Sequence, residues 1–218
     1  MKCKACHNGL ESLSHILNGC LLNKKQQTDR HNRVIDTLLK HYSKGGKTVV
    51  NKNEKYGNGS KLRPDILIRT NEDCQKDFLI DVVVSFEYPQ YFSDARKSKI
   101  QKYNHLAELH MNSTGKPLRI LPLVVGYLGS LTYELKNILR LLKIGPNKFR
   151  KIATEISTGV MVDSFDIYMD YLYPNRKSKG KGVVGVKKQT TETKNQIGSP
   201  DTLKDLEPEN TALARPCG

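Results

Sequence analysis

Four side chains that commonly bind metals fall within the first twenty residues of this 218-residue chain. Cys3, Cys6, His15 and Cys20 have the spacing C-x2-C-x8-H-x4-C. Zinc takes four soft or borderline ligands in a tetrahedron, and a C-x2-C pair places two thiolates on one tight turn. One turn of helix, predicted from Leu13 to Gly19, can supply the other two ligands, and Gly9 eases the loop between the halves. The pattern predicts a structural zinc site.

An alternative is that these are ordinary free thiols beside a helical histidine. His7 is a substitute ligand of poorer geometry, because it directly follows Cys6. Five cysteines, three of them clustered, favour a metal over disulfides in a reducing compartment. Cys74, in the predicted hairpin turn, is expected to be inert, and no role is assigned to Cys217 in the tail.

A second group of side chains follows further along the chain. Asp65 opens one β-branched run after Pro64, and Asp81 lies within the next run. A hairpin whose turn is centred on Asp73 would place the two aspartates opposite each other, with side chains roughly 5 Å apart. Adjacent carboxylates repel unless a cation lies between them, so this arrangement predicts a catalytic Mg²⁺ site. Such a metal polarises a scissile phosphate and activates an attacking water.

Lysines suited to stabilising phosphate charge follow on the next predicted helix. Lys99 and Lys102 lie three residues apart on one face, beside Tyr103. The competing interpretation makes Asp65 a strand-start residue, Asp81 a salt-bridge partner and the lysines a solvated face. Asp81 is the hardest to explain in that way, because it interrupts an apolar run where an unpaired charge is costly.

The elements that must position these residues alternate between helical and strand patterns. We expect Ser93 to cap the helix that carries the lysines, and Ile100, Ala107 and Met111 to form its buried stripe. The last helical segment is one helix, or two interrupted near Gly159. The order predicts an α/β domain with a mixed sheet flanked by helices: helix 28–42, strand 48–50, strands 66–68 and 78–86, helix 93–111, strand 118–127, helix 130–143 and helical segment 147–173.

Composition divides the chain into three parts. Residues 1–22 form the zinc-binding unit and residues 28–173 the α/β domain. Residues 174–218 are poor in large apolar side chains and are predicted to be a disordered basic tail. The tail's basic cluster could hold DNA, act as a nuclear import signal or be merely solvated; it comprises Arg176, Lys177, Lys179, Lys181, Lys187 and Lys188.

The net charge of +14 favours a polyanionic partner, with nucleic acid ahead of a membrane surface. Residues 1–151 hold 27 basic and 13 acidic side chains, whereas residues 152–173 hold four acids and no bases. The excess therefore coincides with the zinc unit and the carboxylate hairpin. No apolar run approaches the ~18 to 20 residues of a membrane span, and the N-terminus lacks a signal peptide pattern. We expect an intracellular, nuclear protein without a membrane partner.

Taken together, the helix, the Pro-Asp strand, the Asp strand, the lysine-bearing helix and the final strand resemble the PD-(D/E)XK restriction-like endonuclease core. More narrowly, residues 3 to 145 resemble the C-terminal region of site-specific non-LTR retrotransposon Pol polyproteins of the type that inserts into ribosomal DNA. The motifs that carry this resemblance are the CCHC unit with "ESLSHILNGC", then "RHNRV", "RPDI", "IDVVV" and "KIQKY".

The resemblance implies roles for individual residues. Asp65 and Asp81 would bind the catalytic metal, and Lys99 or Lys102 would be the catalytic lysine. One departure from the general nuclease pattern is that its strand lysine position is occupied by Val83, so the lysine would be displaced to the following helix. Nucleic-acid contacts would come from Arg30, His31, Arg63 and Tyr103, with phosphate contact and positioning both open for the Arg30–His31 pair.

The leading hypothesis is a metal-dependent DNA endonuclease module that nicks a target such as ribosomal DNA. Its parent polyprotein would also carry a reverse transcriptase and would bind the element RNA. Since no reverse transcriptase sequence is present, we expect a C-terminal fragment or a truncated copy. The alternative is a catalytically inactive, zinc-dependent nucleic-acid-binding fragment; a host structural protein would make both motifs coincidences. The oligomeric state stays open.

Overall fold

The computed structural model describes residues 1–42, the backbone of 49–52, and residues 62–70 and 75–174. Residues 1–22 form the part that we call the zinc-type unit. It contains a π-helical turn at His15–Gly19, and a 3-10 turn follows at Leu21–Asn23. Helices and strands then alternate along the described chain. A further 3-10 turn spans Pro146–Lys148. The elements are α1 (Lys24–Lys40), β1 (Val49–Lys52), β2 (Ile66–Arg69), β3 (Asp77–Ser85), α2 (Pro89–Thr114), β4 (Leu118–Gly126), α3 (Glu134–Leu141) and α4 (Phe149–Leu172).

The four strands form one mixed sheet in the order β1-β2-β3-β4. β1, β2 and β3 pair antiparallel, whereas β3 and β4 pair in parallel and are joined through α2. Ile66 lies opposite Ile80, and Ile68 lies opposite Phe78. This is the register predicted for the hairpin, and its continuation brings Asp65 opposite Asp81. The predicted turn around Asp73, with Cys74, lies outside the described residues.

Helices cover both faces of the sheet. On one face, Ile66, Ile80 and Val82 pack in a cluster with residues of α1, α3 and α4. On the other, Leu67 and Leu79 pack against α2. A strand covered on both faces reads as a continuous apolar run, which explains the composition of β3. Asp81 therefore lies in a buried strand rather than on a solvated sheet surface.

The helix α2 differs from its prediction at its start and in its buried stripe. It begins at Pro89, whose fixed φ suits the first helical position, so Ser93 lies inside the helix and is not its cap. The stripe predicted from Ile100, Ala107 and Met111 is wrong, because Ile100 and Met111 are exposed and Ala107 is only partly buried. The buried residues are Tyr103, Leu106 and His110.

This stripe lies on the face of α2 that packs against the sheet. Lys99, Tyr103, Leu106 and His110 follow one another at spacings of four, three and four residues, so they share that face. Lys99, one of the two lysines predicted to stabilise phosphate charge, thus lies on the same face of α2 as its buried side chains.

The helix α4 is continuous through Gly159, so the prediction of two helices is wrong and that of one is confirmed. A Cβ at Gly159 would lie 2.9 Å from Arg33 Cδ, which shows how closely α1 crosses α4 at this point. The preceding helix α3 is shorter than predicted and begins at Glu134 rather than Ser130. Among the described helices none is both long and apolar enough to cross a membrane.

The predicted disordered tail, with its basic cluster and Cys217, lies outside the described residues apart from Pro174. Thr48, the first residue of the predicted strand 48–50, also lies outside them, and that strand is described as β1 from Val49.

Candidate metal centre and carboxylate site

The four zinc-type ligands converge. One donor atom each from Cys3, Cys6, His15 and Cys20 lies within 4.8 Å of all the others. The imidazole presents Nε2 to the thiols, at 3.2 Å from Cys6 Sγ. Two thiols are fully buried, as structural sites require, and three sulfurs with one imidazole are a donor set that zinc favours. His7 is exposed and lies outside this group.

Local backbone features bring these ligands together. The Cys3 N–H donates to the Gly9 carbonyl and the His7 N–H to the Cys3 carbonyl, which closes the turn that carries the first two thiols. Gly9 has φ +79°, and a Cβ there would lie 3.0 Å from the His15 ring. In the π-helical turn the Cys20 N–H donates to the His15 carbonyl at 2.6 Å, so the last two ligands belong to one turn.

The two buried thiols differ in acidity. A hydrogen bond from the Cys6 backbone N–H lowers the pKa of Cys3 to about 6, against the opposing effect of burial. Burial raises the pKa of Cys20. The thiolate is the form that binds zinc, so the lowered pKa of Cys3 favours its binding form.

The zinc-type unit is tied to the α/β domain through Arg30 on α1. Its guanidinium donates to Ser164 Oγ of α4 at 2.7 Å, to the Leu17 carbonyl at 2.9 Å and to Asn18 Oδ1 at 2.6 Å. The side chain is 1% exposed, and burial lowers its pKa to about 10 while the charge of Asp163 opposes that shift. Of the two roles that sequence left open for Arg30, this geometry supports positioning, because the guanidinium is not accessible to a phosphate.

Asp65 is held by groups from β3 and α1. Its Oδ2 accepts the Val82 N–H at 2.6 Å and lies 3.1 Å from His31 Nε2. His31 Nε2 also lies 3.0 Å from the Val82 carbonyl, and since both neighbours are acceptors, Nε2 carries the proton. Burial alone lowers the pKa of His31, but the hydrogen bond and charge of Asp65 outweigh it and raise the pKa. His31 is thus a donor that orients the Asp65 carboxylate.

Asp81 is 2% exposed and meets three side chains of α2. Tyr103 Oη donates to its Oδ1 at 2.5 Å, and Lys99 Nζ lies 2.5 Å from its Oδ2. Oδ2 forms no aligned hydrogen bond, so the lysine contact is an ion pair alone. Lys102 Nζ is 4.0 Å from Oδ1 and donates to Tyr103 Oη at 2.9 Å. Lys99 is therefore the lysine nearer to the carboxylate.

Tyr103 and Arg63, which were both predicted to contact nucleic acid, differ in exposure. Tyr103 is fully buried, so its ring cannot stack on a base; burial and the bond to Asp81 raise its pKa, which keeps the hydroxyl protonated. Arg63 is exposed, and its carbonyl lies 3.2 Å from Tyr103 Oη. The buried Tyr103 is placed to position Asp81, whereas the Arg63 side chain is accessible; a nucleic-acid role of either residue stays a prediction.

The contacts gather the predicted residues into two linked groups. Asp65 joins His31, while Asp81 joins Lys99, Lys102 and Tyr103. The groups meet at β3, since Asp65 accepts the N–H of Val82, the residue directly after Asp81. Sequence reasoning missed the backbone of Val82 as a partner of both Asp65 and His31. The register of the hairpin was the only signal for it.

A buried network at the other end of the hairpin was also missed. His110 Nε2 lies 2.9 Å from Asp77 Oδ2, and the Thr70 N–H donates to Asp77 Oδ1 at 2.8 Å. Burial, with the charge of Lys116, lowers the pKa of His110. The network ties α2 to the ends of β2 and β3, far along α2 from Lys99, and so has a structural role.

No protein-family model matches the chain. Two proteins of Popillia japonica, each described as "Retrovirus-related Pol polyprotein from type-1 retrotransposable element R2", are similar to it. One is 31% identical over 135 residues, which cover 59% of this chain and 27% of the relative. The other is 30% identical over 133 residues, which cover 58% and 22%. The chain thus spans about a quarter of the length of these relatives, and the similarity supports a retrotransposon-derived Pol fragment.

Proposed function

We propose that this chain is the metal-dependent endonuclease module of a non-LTR retrotransposon polyprotein, with a PD-(D/E)XK-like core. The observation that carries the proposal is Asp81, a buried carboxylate in the middle of an apolar strand. One of its oxygens is without a hydrogen bond and faces Lys99, and Asp65 lies opposite in the register of the hairpin. A buried charge in an apolar strand is costly unless it is paired. The partners of Asp81 are the Lys99 ammonium and the Tyr103 hydroxyl, so the carboxylate and the lysine proposed for catalysis lie together.

The donor set suits Mg²⁺, which binds through one or two carboxylates and completes its shell with water and substrate phosphate. Asp65 and Asp81 would hold the ion, which when bound would activate a water and neutralise phosphate charge. Tyr103 fixes the orientation of the Asp81 carboxylate from one side. His31 and the Val82 N–H fix that of Asp65 from the other.

Lys99 and Lys102 would stabilise the charge that develops on a phosphate. Lys99 is only partly exposed, with its ammonium against Asp81, while the Lys102 side chain is more exposed and rests on Tyr103. The distances support Lys99 as the principal catalytic lysine and Lys102 as its neighbour.

Structural zinc would hold the N-terminal unit, and the unit would help to grip DNA. The excess of basic side chains in residues 1–151 supports a nucleic-acid partner. We further propose that the target is DNA of the ribosomal type, that element RNA is bound through the parent polyprotein with its reverse transcriptase, and that the protein acts in the nucleus.

Plasmid nicking tests the proposal. Zinc-loaded protein should convert supercoiled plasmid to open circles with Mg²⁺, and Asp65→Ala or Asp81→Ala should reduce the rate by at least a hundredfold. Asp166→Ala, which removes an exposed carboxylate of α4, is the matched control and should nick normally. Lys99→Ala should lower the rate more than Lys102→Ala. Equal nicking by the parent and both aspartate variants would refute the site.

One observation favours the alternative, an inactive zinc-dependent nucleic-acid-binding fragment. Both oxygens of Asp81 already have partners within the protein, Tyr103 and Lys99, so the carboxylate is compensated without a metal. For this alternative DNA binding would survive removal of Mg²⁺, would be lost when zinc is stripped, and would accompany no nicking under any condition.

A further inference from the structure

Four aromatic rings form a continuous chain at the carboxyl ends of β3 and β4. Phe86 meets Tyr127 edge to face at 5.2 Å and Tyr91 at 5.4 Å, and Tyr91 in turn meets Tyr88 at 6.2 Å. Tyr127 is buried, whereas Tyr88 and Tyr91 are 58% and 54% exposed. Tyr88 and Tyr91 are therefore exposed to solvent, with Tyr91 resting against Phe86 and Tyr88 against Tyr91.

These rings adjoin the zinc-type unit and the helix that carries the lysines of the carboxylate site. Phe86 packs against the buried cluster that contains Cys3 and Cys20. Tyr91 is in the first turn of α2, eight residues before Lys99, and a rise of 1.5 Å per residue places them about 12 Å apart along the helix axis. The exposed tyrosines therefore lie at the start of the helix that supplies the lysines of the proposed reaction centre.

The charges around the rings change along α2. Next to the tyrosines, Glu87 accepts the Ser130 N–H and Asp94 accepts the side chain of Gln90, so the ring surface itself carries no excess of cations. Further along α2 come Lys97, which is exposed, and the two lysines of the carboxylate site. Uncharged rings at the start of α2, followed on the same helix by Lys99 and Lys102, suit a nucleic-acid strand with a base on the rings and a phosphate near the two lysines.

We propose that Tyr88 and Tyr91 form a stacking platform for an unpaired base of the nucleic-acid strand that is nicked. The platform rests on the proposed function and adds a preference for DNA that is locally unpaired beside the scissile phosphate. A paired base is stacked within the duplex and has no free face for the rings, so the platform selects melted or single-stranded substrate.

Binding to a bubble tests this inference without requiring nicking. The full chain carrying Asp81→Asn, loaded with zinc, is titrated with a duplex that has a central unpaired bubble containing 2-aminopurine, and with the same duplex fully paired. We expect 2-aminopurine quenching on binding and tighter binding of the bubble. Tyr88→Ala with Tyr91→Ala should weaken bubble binding by about 5- to 150-fold per stacked base, with less than a twofold change for the paired duplex.

Three variants serve as controls. Tyr88→Phe with Tyr91→Phe retains both rings and should retain the affinity and the quenching. Tyr173→Ala removes a tyrosine of similar exposure (56%) at the end of the acidic helix α4 and should change neither. Equal losses for bubble and paired DNA in the alanine variant, or unchanged quenching, would overturn the platform.

The outcomes separate the platform from the nuclease. If the parent chain nicks DNA but the tyrosine substitutions do not affect bubble binding, the platform alone is refuted. If bubble binding depends on the rings but the chain never nicks, the platform is supported and the proposed activity is refuted. If the two tyrosines bind another protein instead of DNA, the chain will show no preference for the bubble, which also overturns the inference.

Discussion

Replacing Arg30 by methionine tests how the zinc-type unit is joined to the α/β domain. The guanidinium links Leu17 and Asn18 of the unit to Ser164 of α4, and methionine preserves much of the apolar stem but none of the donors. The next residue, His31, holds Asp65. Loss of these hydrogen bonds should therefore destabilise the packing of the zinc-type unit on the α/β domain and the position of His31 against Asp65.

The magnitude follows from the groups left behind. The Leu17 carbonyl and the Ser164 hydroxyl belong to buried residues, and each buried group without a partner costs about 1–3 kcal/mol. Asn18 is only partly buried and can bond to water. Removing the guanidinium also removes the cost of desolvating a buried charge, which offsets part of this loss. We therefore expect the free energy of unfolding to fall by about 2–4 kcal/mol. For a domain of this size that corresponds to a Tm lower by roughly 5–15 °C.

Arg33→Met is the matched control, three residues along the same helix. Arg33 forms a bidentate pair with Asp163, but its side chain is 48% exposed, so its removal should cost about 1 kcal/mol or less. Urea unfolding with saturating zinc measures both variants, and zinc release to a chelator measures the unit itself. Arg30→Met should release zinc faster than the parent, whereas Arg33→Met should not. Equal stability losses for the two variants would refute the reasoning.

Three further predictions concern other contacts. Tyr103→Phe removes only the hydroxyl that orients Asp81; it should cost about 1.5–3 kcal/mol in urea unfolding and slow nicking about tenfold, and an unchanged rate would show that the hydroxyl is dispensable. Cys20→Ser should abolish stoichiometric zinc by elemental analysis and lower the Tm, since Cys20 is buried; retained zinc would contradict the ligand set. Burial of Glu134 raises its pKa, but the Arg96 hydrogen bond outweighs burial and lowers the pKa below the usual value of a glutamate. The stability that the ionised Glu134 contributes is present above the unfolded-state pKa and is lost as the pH falls through the folded-state pKa. Glu134→Gln should therefore flatten the acid side of the stability curve, and an unchanged slope would exclude this linkage.

Features that depend on short stretches of chain were predictable. The zinc ligands depend on a tight turn and one helical turn, both local, and their convergence is confirmed. The hairpin register followed from the positions of Asp65 and Asp81 around a turn, because antiparallel pairing is set by the turn. The element order and the mixed sheet followed from apolar periodicity.

Features that depend on which surfaces meet were decided by the tertiary structure. The pattern of α2 alone allowed a stripe with Ile100 and Met111, but the sheet buries Tyr103 and Leu106 instead. Arg30 was a candidate for nucleic-acid contact because sequence cannot show that the zinc-type unit and α4 both meet α1 at this residue. Sequence thus identified the Cys/His cluster and the two aspartates that the fold brings to β3 and its neighbour. Packing determined which of its charged and aromatic side chains remain accessible, because burial depends on contacts between residues as far apart as Arg30 and Ser164.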